Sequence, residues 1–458
     1  MPKSIPAMKG GIKTMSKPNK LPLSIWLNLV LFGFMGQVAW AVENNFFNLY
    51  LFNEVGGTME HTSMMVTASS VVAVLTTLFM GSLSDKINKR KIFICAGYII
   101  WGFTVMVFAL LHPDYISKLM GTTPAGAITA TVILVIIMDC IMTFMGSTSN
   151  DAAFNAWITD VTSVSNRAKT ETVLAILPVV ALVAVTGAFG ALSGKFGYPV
   201  CFIGLGLIVT LCGIVGIFSI KESRTGVKTT AGFVETMTYG FRPSVIKGNK
   251  SLYLSLVSMG IFSVASQVFF PYLFIYVDHC IDMSTLSSTL TVPVIILAVA
   301  VVIAVIAVLV SSIILSDKKG KAPFLFPSAI MFIVGLVLVF FAGKNVVWFA
   351  LSALIAMGGY GLLMIMLGAA IRDFTPEDKA GQLQGIRMIF SVLLPMTIGP
   401  AVAVAVTNRY AVDTYLNEYG EAVNVPVPHI YLASAAIGAL IFIPLILLAK
   451  TLKKKNEG

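Results

Sequence analysis

Apolar stretches of about 20 residues or more, each with few charges, recur along almost the whole sequence and constrain the fold more than any other feature. A helix of about 20 apolar residues crosses the hydrocarbon core of a bilayer. Inside that core each backbone N–H and C=O group must find its partner within the protein, which favours helices or closed barrels. Stretches of this length favour helices. We therefore expect an all-α membrane protein.

Twelve such helices are predicted. They cover residues 22–52, 62–84, 91–111, 128–160, 169–193, 198–219, 250–277, 288–316, 323–342, 345–371, 381–407 and 429–451. One long polar interval separates the first six from the last six. The predicted parts are a cytoplasmic tail at 1–21, a six-helix bundle at 22–220, a cytoplasmic linker at 221–249, a second six-helix bundle at 250–452 and a cytoplasmic tail at 453–458.

The distribution of Lys and Arg predicts the orientation. With both ends of the chain in the cytoplasm, all but four of the 31 Lys and Arg residues fall in cytoplasmic segments. The exceptions are Lys118, Lys195, Lys344 and Arg409. Short cytoplasmic loops are enriched in these residues, so a multi-pass protein of the plasma membrane with cytoplasmic ends is expected. The Lys-rich start lacks a small-residue cleavage site, so the first helix is expected to stay in the protein.

Composition excludes several classes of function. Charged residues make up 11% of the chain, against roughly 25% in soluble domains. The net charge of +10 lies in loops and not on a soluble domain, so nucleic-acid binding is not expected. The five cysteines show no CxxC spacing, so we expect neither a metal site nor a cofactor. The sequence has no HExxH, GxSxG or P-loop motif, so an enzyme is not expected.

The loop after predicted helix 2 carries a motif that also appears, in part, after predicted helix 8. The first copy contains Gly81, Asp85, Lys86, Arg90 and Lys91, and the second contains Asp317 and Lys318. Gly81 is expected to permit close helix contact, and Asp85 to cap or pair with a neighbouring basic helix end. A loop that is merely positive is the alternative. The motif resembles that of the major facilitator superfamily, which implies two pseudo-symmetric six-helix bundles around a central substrate site.

Two further stretches resemble the glycoside-pentoside-hexuronide:cation symporters, which include melibiose carriers and sucrose transporters. They are residues 40–50 in predicted helix 1 and residues 150–157 in predicted helix 4. The resemblance implies that Asp151 serves both sugar and cation. Melibiose carriers have a cation-binding Asp pair in helix 2, where this chain has Ala73 and Thr77. This departure favours a proton over sodium as the coupling ion.

Three carboxylates fall inside spanning segments, where ionisable residues are costly and usually functional. They are Glu43, Asp139 and Asp151. Counted back from the loop that follows helix 4, Asp151 lies about 15 Å deep, near the midplane. If the membrane portion of this long helix begins earlier, Asp139 is central and Asp151 lies at the cytoplasmic edge. Glu43 is expected to be a buried proton site or a structural partner inside the first bundle.

Polar side chains in predicted helix 1 suggest a substrate surface. At 100° per residue, Gln37, Asn44 and Asn48 fall within about 40° of one another, and amides offer a sugar both donor and acceptor. Hydrogen bonds to neighbouring helices are the alternative. The candidate substrate contacts are Gln37, Trp40, Asn44, Asn45, Asn48, Asp151, Asn155, Gln267 and Tyr272.

These features predict a secondary active transporter that carries a sugar or glycoside together with a proton by alternating access. We expect it to work as a monomer in the lipid bilayer. The alternative is a proton-driven exporter of amphipathic small molecules, for which 22 Met and 30 Phe provide adaptable apolar surface.

Overall fold

The computed structural model describes residues 21–87, 89–162, 164–222, 238–319, 322–376, 380–411, 414–417 and 419–457. Within these residues twelve helices are long and apolar enough to cross a membrane. Helices 1–12 are Leu23–Asn53, Met59–Ile87, Arg90–Leu110, Pro124–Val161, Ile176–Phe196, Tyr198–Ser219, Lys250–Cys280, Val292–Ser312, Pro323–Phe341, Val346–Phe374, Leu383–Tyr410 and His429–Lys450. The predicted fold class is confirmed. The predicted boundaries of the five parts stay predictions.

Most of the apolar interior falls into two groups, and a small third group, Val74, Leu78 and Met388, joins helix 2 to helix 11. One group of buried side chains comes from helices 1–6 and another mainly from helices 7–12. Most large apolar side chains that remain exposed lie on the spanning helices, among them Leu27, Phe79 and Ile303, as expected for surfaces that face lipid. Each half therefore has its own core. In transporters built from two such halves, the transported molecule binds between them.

Glycines allow two helices of the first half to touch at the backbone. On helices 3 and 6, a Cβ added at Gly206 would lie 2.4 Å from the Gly102 carbonyl oxygen. Helices that approach this closely gain van der Waals contact, which is the main attraction between helices in lipid. This contact holds helix 3 in place, and helix 3 carries two aromatic side chains of the candidate site described below.

We expect Gly206→Ala to destabilise the protein by about 1–3 kcal/mol, because the added methyl group overpacks the helix 3–helix 6 contact. Ala favours a helix over Gly by up to about 1 kcal/mol. Gly204 is the matched control, since it lies on the same helix and a Cβ there meets nothing within 4 Å. The thermal unfolding midpoint should fall for Gly206→Ala and hold or rise for Gly204→Ala. Equal midpoints would contradict the close contact.

Small elements also lie outside the spanning helices, and two of those that were not predicted share one membrane face. A helix at Pro113–Met120 lies between helices 3 and 4. A hairpin of strands β1, Thr414–Leu416, and β2, Ala422–Asn424, lies between helices 11 and 12. Both are on the membrane face opposite the 221–249 linker. We call that face the distal face, and the other the linker face.

The halves are joined by hydrogen bonds in the distal part of the molecule. Asn53 Nδ2 donates to Asp278 Oδ2 at 2.8 Å, and Asn53 Oδ1 lies 2.9 Å from His279 Nε2. Asn408 Nδ2 donates to Glu60 Oε1 at 2.9 Å. These hydrogen bonds, and those that Thr67, Tyr272 and Tyr419 make across the halves, lie from the distal face to mid-membrane. The structure is therefore closed on the distal side.

We expect Asn53→Asp to shift the protein toward a state that is open at the distal face. The new carboxylate would face Asp278 where an amide now donates a hydrogen bond, and like charges at this distance repel. Spin labels at Leu119 and Met283, exposed distal residues of the two halves, would report longer distances. Asn53→Ala, which removes the bonds without adding charge, is the control and should have a smaller effect. An unchanged distance distribution in Asn53→Asp would contradict the assignment of this contact.

Candidate functional site

The middle of the membrane is marked by a contact among helices 1, 3 and 4. Trp101 lies at the centre of helix 3, and its ring centroid is 5.1 Å from that of Trp40 on helix 1. Gly146 of helix 4 lies against both rings, since a Cβ there would be 2.9 Å from each. From this level, Asp139 lies about 10 Å toward the distal face and Asp151 about 8 Å toward the linker face. Both acids therefore lie within the hydrocarbon core, one on each side of its centre.

Asp151 is the most exposed of the three acids. It is half-buried, and the next residue one turn toward the linker face, Asn155, is exposed. Ser147 Oγ donates to Asp151 Oδ2 at 3.0 Å, and the indole N–H of Trp40 also interacts with this carboxyl group. A polar carboxyl beside an aromatic ring is a suitable environment for a hydroxylated ring compound. Trp40 and Asn155 both lie beside Asp151, and their role as substrate contacts stays a prediction.

Glu43 and Asp139 form a separate, deeper acid pair. Glu43 is 7% exposed and Asp139 is 1% exposed. Thr143 Oγ1 donates to Glu43 Oε1 at 3.0 Å, and the Ser69 hydroxyl lies beside Asp139. Each acid keeps one buried oxygen that accepts no hydrogen bond from the described residues. The two carboxyl groups interact electrostatically, as do Glu43 and Asp151.

The three acids, two on helix 4 and one on the adjacent helix 1, thus lie in order across the membrane. Asp139 is the most distal, the Glu43–Thr143 contact is near the centre, and Asp151 is nearest the linker face. Glu43 lies inside the first bundle, between helices 1 and 4, where the sequence placed it. The half-buried carboxyl group of Asp151 is therefore the first of the three acids from the linker face, and the two buried acids lie deeper.

The helix 1 asparagines lie in a π-helical segment, Val42–Phe47, or just after it. A π turn bonds residue i to i−5 and leaves some carbonyls without their usual partner. The side-chain amides of Asn44, Asn45 and Asn48 donate to the carbonyls of Trp40, Ala41 and Asn44 at 2.7–2.8 Å. The amides therefore complete their own helix and do not bond neighbouring helices.

The predicted amide surface of helix 1 is only partly formed. Asn44 is exposed and Gln37 is half-buried, both on the face that points away from the first bundle's core. Asn48 is 1% exposed, because the wider π turn breaks the 100° spacing from which its position was predicted. Asn45 is half-buried. Gln37 and Asn44 are open to contact with another molecule, whereas Asn48 is not in this conformation.

Tyr272 and Gln267 of helix 7 lie at contacts between helices. Tyr272 is fully buried, and its hydroxyl donates to the carbonyls of Met59 at 3.1 Å and Pro400 at 3.3 Å. Its ring is thus not open to a sugar in this state, and it belongs to the distal closure. Gln267 is half-buried, and its backbone lies against Gly399 of helix 11.

The linker-face motif forms an ion-pair network within the first half. Arg90 pairs with Asp85 at the end of helix 2, and its Nε donates to Asp160 Oδ2 at 3.2 Å at the end of helix 4. Glu222, after helix 6, accepts from the backbone N–H of Arg90 at 2.5 Å. The network joins four helix ends. Asp85 thus pairs with a basic helix end, and the alternative of a merely positive loop does not describe this contact.

Other residues of the motif contribute less. The expectation that Gly81 permits close helix contact is wrong, because a Cβ there would meet nothing within 4 Å. Lys86 is exposed and Lys91 is half-buried. Asp317 and Lys318 lie in a helix that continues to Lys319, but their side chains lie outside the described residues.

Several polar residues of the site were not predicted. Asn150 Nδ2 donates to the Tyr98 hydroxyl at 2.7 Å, and this hydroxyl donates to the Phe32 carbonyl at 2.6 Å. Asn150, Ser147 and Asp151 all lie in a second π-helical segment, Ser147–Phe154, of helix 4. Both acid-bearing helices thus have a π segment at the site, where such segments frequently serve function. The sequence feature that could have indicated these residues is the run of small polar residues at the start of this segment, inside an otherwise apolar helix.

Comparisons with known proteins agree with this architecture. A sequence model described as Major Facilitator Superfamily matches residues 29–400. Two solved structures of the nucleoside transporter NupG, one of them a substitution mutant, superpose with TM-scores of 0.62 and 0.64 at 13% identity. Each covers 93% of this chain, and the chain covers 98% and 100% of them. No curated protein sequence matches. At this identity the structural likeness supports the fold alone.

Proposed function

We propose a specific transport function on the premise that the chain belongs to the Major Facilitator Superfamily. It is a multi-pass membrane protein whose relatives in this superfamily are transporters. The finer proposal is secondary active symport of a proton with a sugar or glycoside, by rocking of the two halves. The observation that carries it is the half-buried Asp151 beside Trp40, with two further acids, Glu43 and Asp139, close enough to interact electrostatically in the membrane interior.

The proposed substrate class follows from Asp151 and from the polar and aromatic side chains of helices 1 and 4 that are at least partly exposed. A carboxylate accepts hydrogen bonds from neighbouring hydroxyls, Asn44, Asn155 and Gln37 offer amide donors and acceptors, and Trp40 offers an aromatic ring. This set suits a compact molecule with several hydroxyl groups on a ring. Because nucleosides are also glycosides, and because the similar structures are of a nucleoside transporter, nucleosides belong in the set of compounds to test.

The proposed coupling ion is a proton. A carboxyl group inside a membrane is far less costly as a neutral acid than as an anion, so proton uptake lets such groups remain buried. Asp151 would exchange its proton with the linker side, where it is half-buried. Glu43 and Asp139 are the next two carboxyl groups toward the distal side. Opening of the distal face would then expose Asp139, the most distal of the three acids, to that side of the membrane.

Uptake into proteoliposomes tests the proposal. A labelled panel of disaccharides, simple glycosides and nucleosides would be presented with and without an inward proton gradient. We expect at least one member to accumulate only when the gradient is present. Accumulation of none, together with energy-dependent extrusion of amphipathic dyes, would favour the exporter instead. Accumulation driven by a sodium gradient alone would support symport but would contradict the proposal that the coupling ion is a proton.

We also propose that the linker face is cytoplasmic and that the membrane is the plasma membrane. The Lys and Arg residues concentrated on the linker face support this orientation.

A further inference from the structure

A groove runs along helix 7 from the linker face toward mid-membrane. At the linker face it has a volume of about 570 Å³ and lies between helix 12 and the start of helix 7. Lys250 and Lys450 line this end, with the apolar side chains of Leu254, Val257 and Leu447. Helix 12 packs mainly against helices 7, 9 and 11 of its own half. The groove is therefore at the periphery of the second half.

A second cavity continues this groove at greater depth. It has a volume of about 190 Å³, begins at the same Val257, and lies between helices 7, 11 and 12. Its lining is entirely apolar and includes Gly260, Ile261, Val264, Leu394, Ile398 and Ile437. The two cavities together form one slot with a basic end and an apolar end. We call it the helix 7 groove.

The dimensions of the helix 7 groove match one leaflet of a bilayer. Lys250 and Val264 are separated by about 21 Å along the helix. One leaflet, including its headgroups, is roughly 20–22 Å thick. The lysines therefore lie at headgroup depth when the apolar end lies near the membrane centre.

The positive charges of Lys250 and Lys450 favour an anionic lipid headgroup at this end of the groove. No carboxylate lines the described part of the groove, and neither lysine forms an ion pair with a described residue. The Tyr253 hydroxyl, which also lines this end, already donates to the Gly240 carbonyl. Basic pockets between membrane helices bind anionic lipid headgroups, and the lysine stems can lie along apolar surface.

We propose that the helix 7 groove binds an anionic phospholipid of the linker-face leaflet. The phosphate lies between Lys250 and Lys450, and one acyl chain follows Val257, Ile261 and Val264. A lipid at this place contacts helices 7, 11 and 12 at once. This site is independent of the proposed substrate, since it is on the periphery of one half and not between the halves.

Native mass spectrometry of the purified full-length protein tests this site. The probes are phosphatidylglycerol and phosphatidylcholine with identical acyl chains. We expect wild type to retain phosphatidylglycerol about tenfold more tightly or better, since each of two lysines attracts an anionic headgroup. The double variant Lys250→Gln/Lys450→Gln should lose this preference. The matched control is Lys221→Gln/Lys247→Gln, which removes the same charge from exposed linker-face residues outside the groove, and should keep it.

A further variant tests the apolar end. Val257→Trp fills the point where the two cavities meet and should lower retention of both lipids, provided that its thermal unfolding midpoint matches wild type. Unchanged preference in the double lysine variant would overturn the proposal whether or not Val257→Trp folds. Displacement of the lipid by inorganic phosphate would also overturn it, because the site would then hold a free anion. A mass spectrum that shows a protein dimer without bound lipid, with the groove at the dimer interface, would also overturn the proposal.

Discussion

Replacing Asp151 with Asn is expected to abolish proton-driven accumulation, so that substrate inside proteoliposomes rises only to the outside concentration. Asn keeps the shape of Asp and can still accept the hydrogen bond from Ser147, but it cannot bind and release a proton. Exchange of labelled for unlabelled substrate across the membrane should persist, because it needs the site without the coupling step. Uptake and exchange measured on the same vesicles separate these two activities.

Asp114→Asn is the control for this experiment. It makes the same chemical change at an acid whose side chain is 73% exposed on the distal helix Pro113–Met120. We expect it to leave accumulation unchanged. If Asp151→Asn still accumulates substrate, the coupling role passes to the deeper pair, and Glu43→Gln and Asp139→Asn become the decisive variants. Loss of both accumulation and exchange in Asp151→Asn would indicate that substrate binding requires the carboxylate itself and that an amide does not replace it.

The sequence predicted the helices well because hydrophobic length is a direct physical requirement of the bilayer. Helix 6, for example, was predicted at 198–219 and spans Tyr198–Ser219. Helix 4 shows the limit of this reasoning. It spans Pro124–Val161, which is much longer than the membrane is thick, so length alone does not fix its depth. Only the contact of Gly146 with Trp101, at the centre of helix 3, places Asp139 and Asp151 on the two sides of the midplane.

Side-chain directions were less predictable because they depend on local backbone geometry and on partners far away in sequence. The π segment in helix 1 has no distinctive composition, yet it buries Asn48 while Asn44 stays exposed. The contacts that bury Tyr272 come from helices 2 and 11. By contrast, Glu43 was expected inside the first bundle from its angle on helix 1, and it lies there against Thr143.

The ion-pair network at the linker face depends on Arg90. Its side chain is 9% exposed and lies between two carboxylates from different helices, Asp85 and Asp160. Its guanidinium also donates to Ser84 Oγ at 2.5 Å. A guanidinium offers several donors in a fixed plane, so one side chain can hold three acceptors at once.

We expect Arg90→Ala to destabilise the protein by about 3 kcal/mol, because removing one partner of a buried ion pair leaves the remaining carboxylates less well compensated. The thermal unfolding midpoint of the purified protein measures this loss. Lys89→Ala is the matched control, since it removes a charge from the adjacent, exposed residue and should have little effect. Arg90→Lys should recover only part of the stability, because an ammonium group does not reproduce the planar arrangement of donors.

A triple variant separates charge from packing. Adding Asp85→Asn and Asp160→Asn to Arg90→Ala removes the two carboxylates that Arg90 compensates. If uncompensated charge causes the loss, this triple variant should be more stable than Arg90→Ala alone. If the triple variant is no more stable, the loss comes from the cavity that the arginine side chain leaves. Arg90 would then act through packing, and the network would not be what holds these helix ends together.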